Sequence, residues 1–141
     1  MANKLSAYPV VLAVNTVSTT YVTIAAVLDI EGPGMTLDMI DVTSRDSASW
    51  KEFIGGLIDG GEVAFDILYD PDDTTHSATS PGLVGLLTSK TIKGWKLTLT
   101  DPTPTVWSFT ALVKAFKPKA PMKDALRANV TLKVTASIAV A

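Results

Sequence analysis

Apolar and polar residues alternate along most of this chain, which is the pattern of β-strands that bury one face. The stretch 62–69 shows it best, because Val63, Phe65 and Ile67 alternate with Glu62 and Asp66. Turn-forming residues, such as Gly-Pro-Gly at 32–34, separate the alternating stretches. The predicted strands are 8–15, 21–30, 35–43, 62–69, 95–100, 106–116 and 127–140. The run Lys-Pro-Lys-Ala-Pro at 117–121 is predicted as a stiff, basic connector.

Two stretches have helical spacing instead. Apolar residues three and four positions apart predict a short helix that begins after Ser49, and Glu52 completes a capping-box spacing. Its apolar positions are Trp50, Phe53, Ile54 and Leu57. The Gly-Gly pairs at 55–56 and 60–61 limit this helix to a turn or two and are predicted to act as hinges. It therefore belongs to a long excursion between strands.

The second predicted helix begins at Ser80-Pro81-Gly82, where proline suits a first turn. Leu83, Leu86 and Leu87 form its apolar stripe, and Lys90 lies near its C-terminal end. The fold class that follows is mainly β: an antiparallel β-sandwich or barrel flanked by one α-helix, with a long loop between strands. The length of 141 residues fits a single domain, 1–141.

Composition excludes several kinds of site. The chain has no cysteine, so it has no disulfide, cysteine nucleophile or thiolate metal site. No signal peptide or membrane span is predicted, because no apolar run is long enough. Hydrophobic residues make up 47% and charged residues only 18%, which suggests that partners cover part of the surface.

Charge is unevenly distributed along the chain. Residues 1–80 carry three basic and twelve acidic side chains, a net charge of −9, whereas residues 81–141 carry nine basic and two acidic, a net charge of +7. Ordinary solvated faces could give such a split. The alternative is a polar subunit whose acidic side meets the basic side of a neighbour, with Lys117, Lys119 and Lys123 as candidate contacts.

The one histidine follows an acidic stretch, which raises the question of a metal or catalytic site. Asp70, Asp72, Asp73 and His76 do not have the spacing of a calcium loop, and no second cluster completes a site. A structural turn is the preferred interpretation, since aspartate and proline favour turns. No nucleophile elbow or phosphate loop is present. A carboxylate pair brought together by folding stays open. We predict no catalytic, metal or cofactor residues.

The basic residues near the C-terminus and the three tryptophans can each be interpreted in more than one way. The basic residues between 114 and 127 could bind nucleic acid, but the sequence pI of about 5.2 favours a subunit contact. The three tryptophans, Trp50, Trp95 and Trp107, are interpreted as core or interface residues.

One stretch resembles a known family. The run WKEFIGGLIDGGEV at 50–63, continuing through Phe65 and Tyr69-Asp70-Pro71, resembles the major tail tube proteins of long-tailed bacteriophages. The order of elements is similar as well: a helix follows at 80–90, and a tryptophan-bearing strand follows Gly94. Some members of that family carry a C-terminal immunoglobulin-like domain, and we expect none in this protein.

The resemblance implies a structural subunit, not an enzyme. It implies a β-sandwich with a flanking helix, six copies to a ring, and rings stacked head to tail into a hollow tube through which DNA is ejected. Four strands of each subunit would join into an inner barrel. It also implies virion tail localisation after assembly in the host cytoplasm. The implied partners are copies of itself, the tape measure protein, the tail terminator and tail-tip proteins, with no membrane and no specific DNA binding.

The family pattern also assigns candidate residues. The 41–61 loop would reach a neighbouring subunit or ring through Trp50, Phe53 and Leu57. Glu62 and Asp66 share one strand face and are candidates to face the lumen, with ordinary solvent exposure as the alternative. The main alternative function is a monomeric β-sandwich binding module, for capsid decoration or host attachment. A small β-fold hydrolase has no constellation to support it.

Overall fold

The structure is a computed structural model, and it describes residues 4–6, 9–17, 20–79 and 82–141. Nine strands and one helix are found in those ranges, and antiparallel pairing predominates throughout. In chain order they are β1 (Val11–Val17), β2 (Thr20–Thr23), β3 (Val27–Glu31), β4 (Thr36–Asp41), β5 (Phe53–Asp59), β6 (Glu62–Leu68), α1 (Leu83–Ser89), β7 (Lys93–Thr98), β8 (Val106–Lys119) and β9 (Arg127–Val140). The mainly-β class with one helix is confirmed.

Seven strands form the main sheet, in the order β2-β1-β7-β8-β9-β6-β3. The two edge strands, β2 and β3, are joined by only three residues, 24–26. Because so short a connection spans at most about 14 Å, the sheet must curl until its two edges come near each other. It does not close: no ladder in the described ranges links β2 to β3, so the predicted barrel is not formed.

The concave face of this curled sheet holds the core. Alternate residues of β1, β6, β7, β8 and β9 point inward, and the largest of them are Trp95 and Phe65, each 1% exposed. The alternation predicted for 62–69 is confirmed, since Val63, Phe65 and Ile67 are buried. A register slip of one residue would turn this whole apolar set to solvent, so burial on one face fixes the pairing of β6 with β9.

The predicted helix is present and covers part of the core. Leu83 and Leu86 of α1 are buried, Leu87 is half-buried, and the helix packs against β8. Lys90 ends the helix in the left-handed conformation (φ 57°), and its amide donates to helix carbonyls. The predicted start at Ser80-Pro81 lies outside the described residues, as does Tyr8 at the start of the predicted first strand.

Three local predictions are wrong. The stretch 50–57 is not helical, because 53–59 is the strand β5, paired with β4 in a separate two-stranded sheet. The long loop is therefore a β-hairpin. The stretch 21–30 is two strands, interrupted where Ala26 adopts φ 54° and the chain crosses from one sheet edge to the other. The connector at 117–121 is wrong as well, since β8 continues through Lys119.

Candidate assembly surface

The β4–β5 hairpin, here residues 35–61, exposes more apolar surface than any other described element. Every residue of β4 is exposed, and only Gly56 of β5 is half-buried. Leu57 is 82% exposed, Ile58 70% and Met39 63%. Contiguous exposed apolar surface of this kind marks an interaction site in soluble proteins.

Apolar side chains occupy both faces of the hairpin. The register pairs Met39 with Gly55, Ile40 with Ile54 and, beyond a register shift between Leu37 and Met39, Leu37 with Ile58. Because directly paired residues share a face, the first face carries Leu37, Met39, Phe53 and Ile58, and the second carries Ile40 and Ile54. Gly55 and Gly56 lie under β4 side chains, since an added Cβ would meet Leu37 and Ile40 at 3.3 Å. They therefore serve cross-strand packing, not the predicted hinge at 55–56.

Hydrogen bonds hold the hairpin tip in one shape. The Ser47 hydroxyl, in a residue only 7% exposed, donates to Glu52 Oε2 at 2.7 Å and accepts from the Ser44 amide at 3.0 Å. The Glu52 amide donates to Thr43 Oγ1 at 2.8 Å. Trp50 stands on this ordered loop with 80% of its surface exposed. The tip is thus organised before any partner binds.

The hairpin base is fixed by backbone contact. Gly61 adopts φ +71°, and a Cβ there would lie 2.2 Å from the carbonyl oxygen of Gly34, so only glycine fits. The Gly61 amide donates to Asp59 Oδ1 at 2.9 Å, which is the main reason that the pKa of Asp59 is lowered. Lys133 Nζ pairs with the same carboxylate at 3.3 Å. Gly60–Gly61 is therefore a tight crossing where a hinge was predicted.

The two candidate lumen acids do share one face of β6, the polar face of the main sheet. Glu62 forms an ion pair with Lys114 of β8, and the hydrogen bond from that ammonium is the main cause that lowers the pKa of Glu62. Asp66 accepts a hydrogen bond of 2.8 Å from Asn129 Nδ2. Lys114 of β8 and Lys133 of β9 both lie near Glu62, so the charge of Glu62 is compensated locally.

The candidate basic residues occupy the end of β8 and the connection to β9. We name residues 117–127 the basic segment: it holds four basic side chains and one acid, a net charge of +3. Lys117, Lys119 and Lys123 are exposed, and Met122 beside them is 97% exposed. Arg127 pairs with Asp124 at 3.1 Å. The hairpin, by contrast, holds five acids and two basic residues, a net charge of −3.

The acidic stretch before His76 is a structural turn. His76 is fully buried; its Nε2 donates to the Ala25 carbonyl at 2.7 Å, and its Nδ1 accepts from the Asp70 amide at 3.2 Å. Asp73 accepts from the hydroxyl and amide of Thr75, which lowers the pKa of Asp73. With both imidazole nitrogens used, this histidine ties the 70–79 loop to the turn after β2.

Among the residues that the structure describes, no cluster of histidine and acidic side chains could hold a metal ion. No helix within the described ranges is long and apolar enough to cross a membrane. Of the tryptophans, Trp95 is buried in the core and Trp107 is half-buried against it.

Sequence reasoning identified some of the exposed apolar residues of the hairpin and missed others. Helical spacing and the family resemblance together point to Trp50, Phe53 and Leu57, and the structure places all three on the exposed hairpin. Ile40 and Ile58 were not selected. The signal that could have found them is the continuous apolar run 53–58, broken only by glycines, which fits a strand that exposes both faces.

Sequence comparison identifies the family. The sequence profile described as lambda phage tail tube protein matches residues 8–141, nearly the whole chain. The chain belongs to the lambda phage tail tube protein family. Proteins of this family are structural components of the virion tail, so the expected family, localisation and structural class are confirmed. No curated protein sequence matches the chain.

Solved structures with the same fold come from several tail-like particles. The tail of an empty gene transfer agent particle with C6 symmetry has a TM-score of 0.80 at 11% identity, over 98% of this chain and 99% of the other. The tail tube of phage SPP1 gives 0.73 at 7% identity, over 97% and 78%. A contractile injection system sheath–tube complex gives 0.70 at 14%, over 98% and 91%. At these identities the similarity establishes the tail tube fold.

Proposed function

We propose that this tail tube protein assembles head to tail into stacked hexameric rings, and that the resulting tube is the conduit for DNA ejection. The observation that carries the proposal is the β4–β5 hairpin, an ordered ribbon whose apolar residues have no cover within the described chain. The C6 symmetry of the gene transfer agent tail, whose subunit has the same fold, supports six copies in a ring.

The hairpin supplies the main contact to a neighbouring copy. Trp50, Phe53 and Leu57 are 80%, 49% and 82% exposed, and covering them removes a large apolar area from water. Large aromatic side chains on an ordered loop lose little conformational freedom on binding. They therefore act as the interface residues of the hairpin.

Opposite net charges favour contact between the hairpin of one ring and the basic segment of the next. The hairpin has a net charge of −3 and the basic segment has a net charge of +3. Lys117, Lys119 and Lys123 would then contact the acidic hairpin of the next ring. A heterologous contact of this kind repeats without limit along an axis, as a tube requires.

The curled sheet supplies the lateral contacts and the channel wall. Edge strands β2 and β3 each have one strand partner within the described ranges, and a neighbour in the ring would cover the free sides. Glu62 and Asp66 would line the lumen on the polar face. Lys114 compensates the charge of Glu62, and Asn129 donates a hydrogen bond to Asp66, which keeps its negative charge. Such a wall would not capture phosphate strongly.

Within the tail, the tube subunit would also contact the tape measure protein, the tail terminator and the tail-tip proteins. We propose no enzymatic activity and no cofactor. The domain is proposed to act as a single unit spanning 1–141. The related fold found in caps and baseplates of injection systems is consistent with contacts at both ends of a tube.

Electron microscopy tests the proposal. We expect concentrated pure protein, or protein mixed with tail-tip extract, to form tubes or six-fold rings in negative stain. A protein that stays monomeric in both conditions contradicts it and favours a monomeric binding module. Reversing Lys117, Lys119 and Lys123 to glutamate should shorten or abolish tubes, because like charges would then meet between rings. Unchanged tube yield would remove the axial role of the basic segment.

A further inference from the structure

The sulfur atoms of this chain all belong to methionines, because it has no cysteine. Three of its four methionines lie in the described ranges, and all three are exposed: Met35 at 47%, Met39 at 63% and Met122 at 97%. None of them belongs to the buried core, which is built from aliphatic and aromatic side chains. Methionine is among the residue types that are most often buried, so its restriction to the surface here is unusual.

These thioethers lie on the two surfaces that the proposed function assigns to assembly. Met122 belongs to the basic segment, and Met35, at the base of the hairpin, lines the cleft between the hairpin and β9. Met39 lies on the first face of the hairpin, and the residue directly opposite it, Gly55, has no side chain that could shelter it. In the free subunit the Met39 side chain is therefore open to small reagents in solution.

We propose that Met39 is an oxidation site, and that peroxide acting on the free subunit there blocks its addition to a tube. The inference rests on the proposed function, because it requires the hairpin to be covered on assembly. Hydrogen peroxide transfers one oxygen atom to the thioether sulfur and forms the sulfoxide. The oxygen–oxygen bond breaks, the sulfur loses two electrons, and the second oxygen leaves with both protons as water.

The surroundings of Met39 make its sulfoxide costly to cover. The side chains that share its face are Leu37, Phe53 and Ile58, and none of them can donate a hydrogen bond. A strong acceptor buried among them stays unpaired, which should raise the concentration needed for assembly about tenfold to hundredfold. In the free subunit the same sulfoxide is hydrated, so the fold keeps its stability.

Met122 provides an internal comparison. It is the most exposed of the three methionines, so peroxide reaches it at least as readily as Met39. Its neighbours along the chain include Lys119 and Lys123, whose ammonium groups can donate to a sulfoxide oxygen. Oxidation of Met122 should therefore cost assembly little, and only the site on the hairpin should matter.

Sedimentation after peroxide treatment of dilute subunit tests the inference, with oxidised positions mapped by peptide mass spectrometry. Met39→Leu and Met122→Leu are each compared with their own untreated forms. We expect treatment to raise the assembly concentration of the unmodified chain and of Met122→Leu by about tenfold or more, and to change that of Met39→Leu little. Equal losses in Met39→Leu overturn the assignment. Unchanged assembly of chain fully oxidised at Met39, or a lower melting temperature after treatment, overturns it as well.

Enzymatic repair of the unmodified chain decides the matter where Met39→Leu does not assemble. Methionine sulfoxide reductases restore the thioether, and tube formation should return with it; complete reduction without recovery refutes the inference. Peroxide added to finished tubes should leave Met39 unoxidised, and its oxidation in intact tubes refutes the inference too, because the side chain is then uncovered. Untreated chain that forms no tubes refutes the proposed function itself, a distinct outcome.

Discussion

Replacing Leu57 by alanine should impair assembly while leaving the isolated subunit intact. Leu57 lies in the middle of β5 and is 82% exposed, so its side chain contributes little to the fold of the free subunit. Its apolar surface is removed from water only when another molecule covers it. The substitution therefore separates the energetics of assembly from those of folding.

The magnitude follows from the exposed fraction. Leucine to alanine removes three carbon groups, worth roughly 2.4 kcal/mol at about 0.8 kcal/mol for each buried group. Since 82% of the residue is exposed before assembly, about 2 kcal/mol of that is gained on association. At tenfold for every 1.4 kcal/mol, the concentration needed for assembly should rise about 30-fold.

Sedimentation of tubes over a concentration series measures that shift, and thermal unfolding of dilute protein checks the fold. Ile92→Ala is the matched control, because Ile92 is 55% exposed but lies before β7, away from the hairpin. We expect the control to assemble as the unmodified chain does. The reasoning fails if Leu57→Ala assembles at the same concentration as the unmodified chain. It also fails if the melting temperature of dilute Leu57→Ala falls clearly below that of the unmodified chain, because the loss of assembly would then reflect a damaged fold.

Three further predictions concern the subunit alone. Gly61→Ala should lower the free energy of unfolding in urea by about 1–3 kcal/mol or more, because φ is +71° and the Gly34 carbonyl is in the way; Gly34→Ala, with open space around its Cβ, should be nearly neutral. His76→Phe should cost at least about 2 kcal/mol in the same assay, since it leaves two backbone groups unpaired, and a neutral result would contradict the tie between loops. The pKa of Asp73 is lowered by hydrogen bonds from the Thr75 hydroxyl and then from the Thr75 amide. The resulting stabilisation is present above about pH 4 and is lost as the pH falls through the folded-state pKa. Between about pH 4 and pH 2 the melting temperature of Asp73→Asn should therefore fall less than that of the unmodified chain.

The sequence predicted those elements that bury one face and expose the other. Strand β6 alternates because its odd-numbered residues enter the core, and β9 matches the predicted 127–140 for the same reason. The leucine stripe of α1 likewise reports one buried side. Burial on one side leaves a period in the sequence, and that period is sufficient to identify the element.

Prediction failed where that period is absent or misleading. The residues 50, 53, 54 and 57 have helical spacing, but the glycines at 55–56 would each destabilise a helix by about 1 kcal/mol. The segment 53–59 instead forms a strand that pairs with β4. With apolar residues on both faces, β5 has no alternation to detect. Pro118 suggested a connector, but β7 pairs only with residues 106–111 of β8, so this proline lies where the strand has a free side.

The exposure of the candidate residues was easier to predict from the sequence than the contacts between distant side chains. The family resemblance selected Trp50 and Leu57 as contact residues, and the structure shows that both are exposed; the contact itself stays a prediction. The pairing of Glu62 with Lys114 could not follow, since the two residues are 52 positions apart and meet only through the β6-β9-β8 order. Charge patterns along a chain do not reveal which charges fold together.

The crossing of Gly34 and Gly61 has a consequence for any long repeating array built from this subunit. The close approach of the Gly61 backbone to the Gly34 carbonyl oxygen fixes the angle at which the hairpin leaves the subunit. Backbone atoms do not change when side chains are substituted. Every copy thus leaves the fold with its ribbon at the same angle. In the stacked tube proposed above, each hairpin would leave its subunit at the same angle, and this glycine pair would help to keep the tube straight over many rings.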